Sequence, residues 1–158
     1  MQSDDPRSPA AQRFARLVAD VYELAGELEG CGETLARSAG QSGARWKVLS
    51  AASVGGQTVA QLARRLGLAR QSVQRLADAL EEDGFLVFRP NPDHQRSPYA
   101  ELTPSGARAL ARLSSAAAKW ENPLAAHLDA GRLDEARAFI RMLLQLLRQR
   151  PPLNRRKE

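Results

Sequence analysis

The chain has 158 residues, 43% of them hydrophobic, with 23 Lys and Arg against 18 Asp and Glu and a net charge of +5. That length suits one domain, or one domain whose ends extend into a partner, and the composition excludes a disordered chain. A single cysteine, Cys31, excludes an internal disulfide and a multi-cysteine zinc site, and no apolar run approaches membrane-spanning length.

The opening MQSDDPRSPAAQ is polar and acidic where a secretory leader is basic and then apolar, so residues 1–11 read as a disordered tail of a cytoplasmic protein. Phe14, Leu17, Val18, Val21, Tyr22, Ala25 and Leu28 then recur at helical period and predict a long helix over 12–33. Gly30 to Gly32 are expected to interrupt it, leaving Cys31 in a turn beyond its end. A short segment around 34–38 follows, and then a helix over about 43–52 that offers Trp46, Val48 and Leu49 to a core. Gly55 and Gly56 break that helix.

Residues 58–84, TVAQLARRLGLARQSVQRLADALEEDG, carry the clearest pattern in the chain. The Thr58 hydroxyl is placed to cap a helix whose buried face is Val59, Leu62, Ala63 and Leu66, at i, i+3, i+4 and i+7 spacing. Gly67 supplies the left-handed residue that ends it, and Leu68 is expected to plug the corner. A second helix over about 70–83 turns Val73, Leu76, Ala77 and Leu80 inward. Arg70, Gln71, Ser72, Gln74 and Arg75 must then share its outer, N-terminal surface, and their side chains suit guanine and adenine edges and phosphate oxygens.

Phe85 to Phe88 alternates weakly, Pro90, Asn91, Pro92 and Asp93 form a turn-rich tip, and Tyr99 to Leu102 returns as a second strand. This predicts a two-stranded ribbon whose tip carries Arg96 beside His94 and Gln95. Thr103, Pro104 and Ser105 start another helix, which carries Leu110 and Leu113 and reaches Trp120. Gly131 separates it from a last helix over about 133–150, whose stripe holds Phe139, Ile140, Leu143, Leu144 and Leu147. Pro151 and Pro152 stop that helix, and 151–158 is a basic tail. So wide an apolar arc exceeds what a small core covers, so a homodimer is expected through Phe139, Ile140, Leu143 and Leu147 with Phe14, Leu17 and Val21.

Charge is uneven along the chain. No Asp or Glu occurs from Thr34 to Ala77, where Arg37, Arg45, Lys47, Arg64, Arg65, Arg70 and Arg75 all fall. With the two-helix pattern inside that window, the expected partner is a polyanion, double-stranded DNA. Glu81, Glu82 and Asp83 close the second helix and read as a solvated end, or as a device that keeps DNA off the wrong face.

Three stretches resemble the MarR (multiple antibiotic resistance regulator) family of transcription factors: GARWKVLSA, TVAQLARRLGLARQSVQRLADALEEDGFLVF and the wing PNPDHQRSPYAELTPSG. The resemblance spans about residues 12–150. It implies a mainly α fold with a small β part, in which a winged helix-turn-helix over 34–106 stands between dimerisation helices at 12–33 and 107–150. It further implies a dimer on a pseudo-palindromic operator, with Thr58, Arg70, Gln71, Ser72, Gln74 and Arg75 at the major groove and Arg96 in the minor groove. His94 stands where the family usually has an Asp beside that arginine, and Ala69 where it often has a capping Ser or Thr. The resemblance also implies a small aromatic or phenolic effector, for which Tyr22, Trp46 and Trp120 are candidate walls, and release of a repressor from DNA.

No nucleophile motif, glycine-rich phosphate loop or carboxylate pair assigns residues to an enzyme, so none is expected. His94 and His127 are too dispersed for a metal, and no cofactor is expected. The alternative is a winged helix used as a protein-contact adaptor without DNA readout. Such a docking helix would show apolar anchors where residues 70–75 are polar and cationic.

Overall fold

The computed structural model describes residues 6–149, and in it α1 (Pro9–Ser38) is a single unbroken helix. The Ser8 side chain caps it by accepting from the Ala11 N–H at 3.2 Å, so it begins inside the segment expected to be a tail. It also passes through Gly30 and Gly32, and Cys31 is a half-buried residue within it. A glycine costs a helix only about 1 kcal/mol relative to alanine. None of these glycines takes a positive φ, whereas Gly40, just past the helix, has φ 74° and turns the chain.

The remaining elements are α2 (Gly43–Ala52), β1 (Gln57–Thr58), α3 (Val59–Leu66), α4 (Arg70–Glu82), β2 (Leu86–Arg89), β3 (Tyr99–Leu102), α5 (Pro104–Ala125) and α6 (Ala130–Gln149). The chain divides into two compact units, one ending at Ala117 and one beginning at Ala118, with α5 running through the division. In the first unit Val48 and Leu49 of α2, Leu62 of α3, Val73, Ala77 and Leu80 of α4, Leu86, Ala100 and Leu113 form a continuous buried core. These are the inward positions that the helical spacing selects. Leu66 and Leu76 pack against the core half-buried.

The sheet has three strands in the order β1-β3-β2, all antiparallel, where the sequence predicts two. Leu86 lies opposite Leu102 and Arg89 opposite Tyr99, and the extra strand pairs Thr58 with Tyr99. In the second unit, α5 runs on through Pro123 to Ala125 instead of ending at Trp120. Asp129 Oδ1 accepts from the Arg132 N–H at 2.9 Å and caps α6, so Gly131 lies in the first turn of α6 and does not separate the helices. No residue of α6 is buried. The basic tail expected over 151–158 lies outside the described residues.

In the first unit the chain closes on itself where α4 ends and α5 begins. Gly84, at φ 73°, turns the chain out of α4, and the Phe85 N–H donates to the Leu80 carbonyl at 2.8 Å. The Thr103 hydroxyl donates to the Gly84 carbonyl at 2.6 Å and accepts from the Gly106 N–H at 3.0 Å. The Thr103 N–H donates to the Phe85 carbonyl at 3.1 Å. A Cβ on Gly106 would lie 2.0 Å from that same carbonyl oxygen, a backbone atom with no side-chain freedom to give way. Gly106→Ala is therefore expected to destabilise the fold by about 1–3 kcal/mol or more, the range of core overpacking. Denaturant midpoints of the two proteins at matched concentration check this, and an unchanged midpoint would show that the junction relaxes freely.

Candidate nucleic-acid interface

The helix-turn-helix is built by local hydrogen bonds that the sequence specifies. At the start of α3, the Gln61 N–H donates to the Thr58 hydroxyl at 3.4 Å and the Thr58 N–H to Gln61 Oε1 at 2.7 Å, a reciprocal capping box. Thr58 also donates its hydroxyl proton to Gln61 Oε1, so this side chain is committed to the cap. Gly67 ends α3 at φ 67°, and the Leu68 N–H closes the turn on the Ala63 carbonyl at 3.0 Å. Leu68 itself is 39% exposed and does not plug the corner. The N-cap of α4, Ala69, makes no side-chain hydrogen bond, so this helix starts without a side-chain acceptor for its first N–H groups.

On α4, Arg70, Gln71, Ser72 and Arg75 are exposed and Gln74 is half-buried. The β2–β3 tip is held by a residue that reading the sequence placed only in a turn. Asn91, 6% exposed, donates from Nδ2 to the Ser97 carbonyl at 3.0 Å and accepts from the Asp93 N–H at 3.0 Å. One buried amide thus bridges both sides of the tip. Arg96 is exposed and has no ion pair among the described residues, with neither Asp93 nor any other acid.

Thr58, Arg70, Gln74 and Arg96 meet around one recess of about 390 Å³, together with Asp78 and Glu81, two acids that reading the sequence did not assign to this surface. Gln71, Ser72 and Arg75 lie on the same helix outside that recess. Gln74 Nε2 donates to Asp78 Oδ1 at 2.7 Å.

The acid-free window overstates the free positive charge. Arg37 Nε lies 2.9 Å from Glu33, Lys47 Nζ 2.6 Å from Glu29 and Arg45 Nη2 2.5 Å from Asp83, so acids flanking the window neutralise three of its cations. The Gly43 N–H, donating to Glu33 Oε2 at 2.7 Å, and then Arg37 hold the Glu33 carboxyl below its ordinary value. The hydrogen bond from Lys47, and then its charge, lower Glu29 likewise. Arg64, Arg65, Arg70 and Arg75 remain without an ion pair among the described residues. Glu81, Glu82 and Asp83 at the end of α4 are exposed, as the sequence leads one to expect, and two of them are also engaged. Asp83 pairs with Arg45, whose guanidinium sits 5.7 Å from the Phe85 ring centre, and Glu81 Oε1 accepts from the Phe88 N–H at 3.3 Å.

A second cavity of about 620 Å³ lies within the first unit, lined by Leu28, Trp46, Lys47, Arg65, Leu66 and Leu68 among others. Of the three aromatics expected to wall a ligand pocket, only Trp46 lines it. Tyr22 is 76% exposed, and Trp120 is an exposed residue of the second unit. Of the expected dimer residues, Phe14, Val21, Phe139, Ile140 and Leu147 are exposed, and Leu17 and Leu143 half-buried. Among the described residues no group of three His, Cys, Asp or Glu is placed to hold a metal ion, and no helix is long and apolar enough to cross a membrane.

Residues 40–97, which span α2 through the wing tip, match the MarR family model. The chain belongs to the MarR family. An uncharacterized protein of Mycobacterium tuberculosis is 42% identical over 142 residues, covering 90% of this chain and 99% of that one. The transcriptional activatory protein BadR of Rhodopseudomonas palustris is 32% identical over 95 residues, 58% of this chain and 54% of BadR. The MarR-type fold recurs in the regulator BldR of Sulfolobus solfataricus, at 16% identity, TM-score 0.77, and 88% and 99% coverage of the two chains. It recurs also in the regulator MosR of M. tuberculosis, solved in complex with DNA, at 20% identity, TM-score 0.65, and 83% and 97% coverage. Family and fold are those of transcription regulators rather than enzymes.

Proposed function

We propose that this MarR-family chain is a sequence-specific, DNA-binding transcriptional regulator that acts as a cytoplasmic homodimer on a pseudo-palindromic operator. One observation carries the reading: Arg70 and Gln74 of α4 and Arg96 of the wing converge on one recess, and neither arginine has an ion pair among the described residues. Gln71, Ser72 and Arg75 extend that surface along the exposed side of α4 and complete the base-edge and phosphate contacts. MosR, which shares this fold, was solved in complex with DNA, which supports DNA as the partner; on this reading α4 enters the major groove and Arg96 the minor groove. Repression by occupancy of a promoter is the simplest action of such a dimer; BadR, named as an activator, marks activation as the competing outcome. A protein-contact adaptor is disfavoured, because residues 70–75 offer only Val73 as an apolar side chain and that residue is fully buried.

The dimer reading rests on the exposed Phe139, Ile140, Leu144 and Leu147 of α6, and on Phe14 and Val21 of α1, apolar faces too wide to remain in water. The effector reading rests on the Trp46-lined cavity, whose Leu28, Leu66 and Leu68 suit an aromatic ring; its two acids, Glu29 and Glu33, are paired with Lys47 and Arg37, and its Arg65, without an ion pair among the described residues, suits an acidic or phenolic oxygen.

DNA binding is expected to be steeply salt-dependent. With roughly six to ten phosphates neutralised per dimer, affinity falls by about 10³ to 10⁵ between 50 and 200 mM salt. Arg75→Ala should cost about 1–3 kcal/mol and relax preference at a defined half-site position, whereas Arg96→Ala should weaken binding across many sequences. Titrations against genomic fragments check both, and a flat salt response would remove DNA as the partner. Light scattering in dilute buffer should report twice the mass of one chain. Leu143→Asp, which puts a charge on the α6 stripe, should yield aggregate or unfolded protein; an unchanged dimer would place the seam elsewhere. Aromatic acids that release DNA should quench tryptophan emission, and Trp46→Leu should abolish both effects; release that survives in Trp46→Leu would exclude this cavity.

A further inference from the structure

Gln74 is the half-buried polar residue of the α4 surface, and its amide is oriented by chemistry as well as by geometry. Its Nε2 donates to Asp78 Oδ1 at 2.7 Å, one turn further along the helix. A carboxylate only accepts, so the nitrogen must be the end that faces Asp78. Turned over, the amide would set its own oxygen against a carboxylate oxygen, two acceptors with no proton between them. Arg70 and Arg96 line the same recess but form no ion pair with Asp78, which leaves this carboxylate to Gln74. The amide oxygen, with both lone pairs, is therefore the end available to a ligand.

We propose that Asp78 is a positioning residue that fixes which base Gln74 reads: one with an amino group at its major-groove edge, adenine or cytosine. This rests on α4 lying in the major groove, as argued above. There adenine N6 and cytosine N4 donate, while guanine presents O6 and N7 and thymine O4, all acceptors. The amide oxygen, turned away from Asp78, accepts from the first two and finds no donor on the others. The second N–H of Nε2 also remains for adenine N7, which makes adenine the better partner of the two. A free glutamine chooses its own amide orientation; the carboxylate of Asp78 removes that choice.

The test is selection of bound half-sites from a randomised library by the full-length protein, followed by titration of the four single-base variants at each position. The wild-type protein should prefer adenine or cytosine at one position by roughly five- to a hundred-fold. Gln74→Ala should erase that preference. Asp78→Ala and the isosteric Asp78→Asn should each admit guanine or thymine at that same position, to within about three-fold of adenine. The double variant Gln74→Ala with Asp78→Ala should show no further loss there. Asp78 is exposed, so its replacement leaves the core untouched.

An Asp78 that acts only as a nearby negative charge gives a different result. Its variants would then bind every sequence more tightly by one common factor and keep the full base preference, and the proposal is overturned. Failure of the underlying DNA reading shows earlier and separately, as a wild-type protein without positional preference at any base, whereas a preference that Gln74→Ala leaves unchanged overturns this proposal alone.

Discussion

The closure of α5 onto the end of α4, where Gly106 leaves room for the Phe85 carbonyl, is the contact on which the proposed reading surface depends. Three ties converge there. Thr103 binds the Gly84 and Phe85 carbonyls, Glu81 holds the Phe88 N–H, and Asp83 takes Arg45 of α2. The first joins the exit of β3 to the turn after α4, the second joins α4 to β2, and the third joins α4 to α2. Arg70 and Gln74 project from α4 and Arg96 from the β2–β3 tip, so the spacing of these groups is set at this junction, away from the groups themselves. Backbone in van der Waals contact does not adjust by fractions of an ångström without cost. The junction therefore acts as the rigid support of a site whose own side chains are exposed.

What the sequence disclosed, and what it did not, follows the range of the interactions involved. The two helices of the helix-turn-helix were legible because their determinants are local: apolar residues three and four apart, Thr58 with Gln61 within one turn, and Gly67 at the bend. The break expected at Gly30 to Gly32 did not occur, because a glycine penalises a helix without ending it. What continues α1 is Ala36, fully buried in the core, and Glu33, which binds the start of α2 at Gly43. Those contacts lie outside any local window. β1 left no trace, since two residues have no period, and its strand character comes from pairing with Tyr99 and Ala100. The Thr103 link to Gly84 spans 19 positions and is invisible to spacing arguments.

Charge shows the same difference between sequence and space. Counting along the chain gave a long cationic window, yet Glu29 and Glu33 just before it and Asp83 just after it fold back onto Lys47, Arg37 and Arg45. Pairs this exposed add little stability, because water screens them. Their larger effect falls on the acid-free window, where the arginines left without an ion pair among the described residues are Arg64, Arg65, Arg70 and Arg75 of α3 and α4. Within that window the remaining positive charge thus lies on the helix-turn-helix, where phosphates would be contacted.

Asp78 and Glu81 at the recess work against that positive charge. In the proposed complex they lie close to a polyanion, and each lowers affinity for any DNA by a repulsion that has no sequence content. A surface built for strength alone would not carry them. Both are engaged in hydrogen bonds that fix something else, Glu81 the start of β2 and Asp78 the amide of Gln74. Specificity is a difference between affinities, so a loss common to all sequences leaves it untouched while an oriented amide increases it. The same loss weakens non-specific binding, against which an operator must compete throughout a genome. The acids at the recess thus exchange affinity that any DNA would share for discrimination that only the right base can supply.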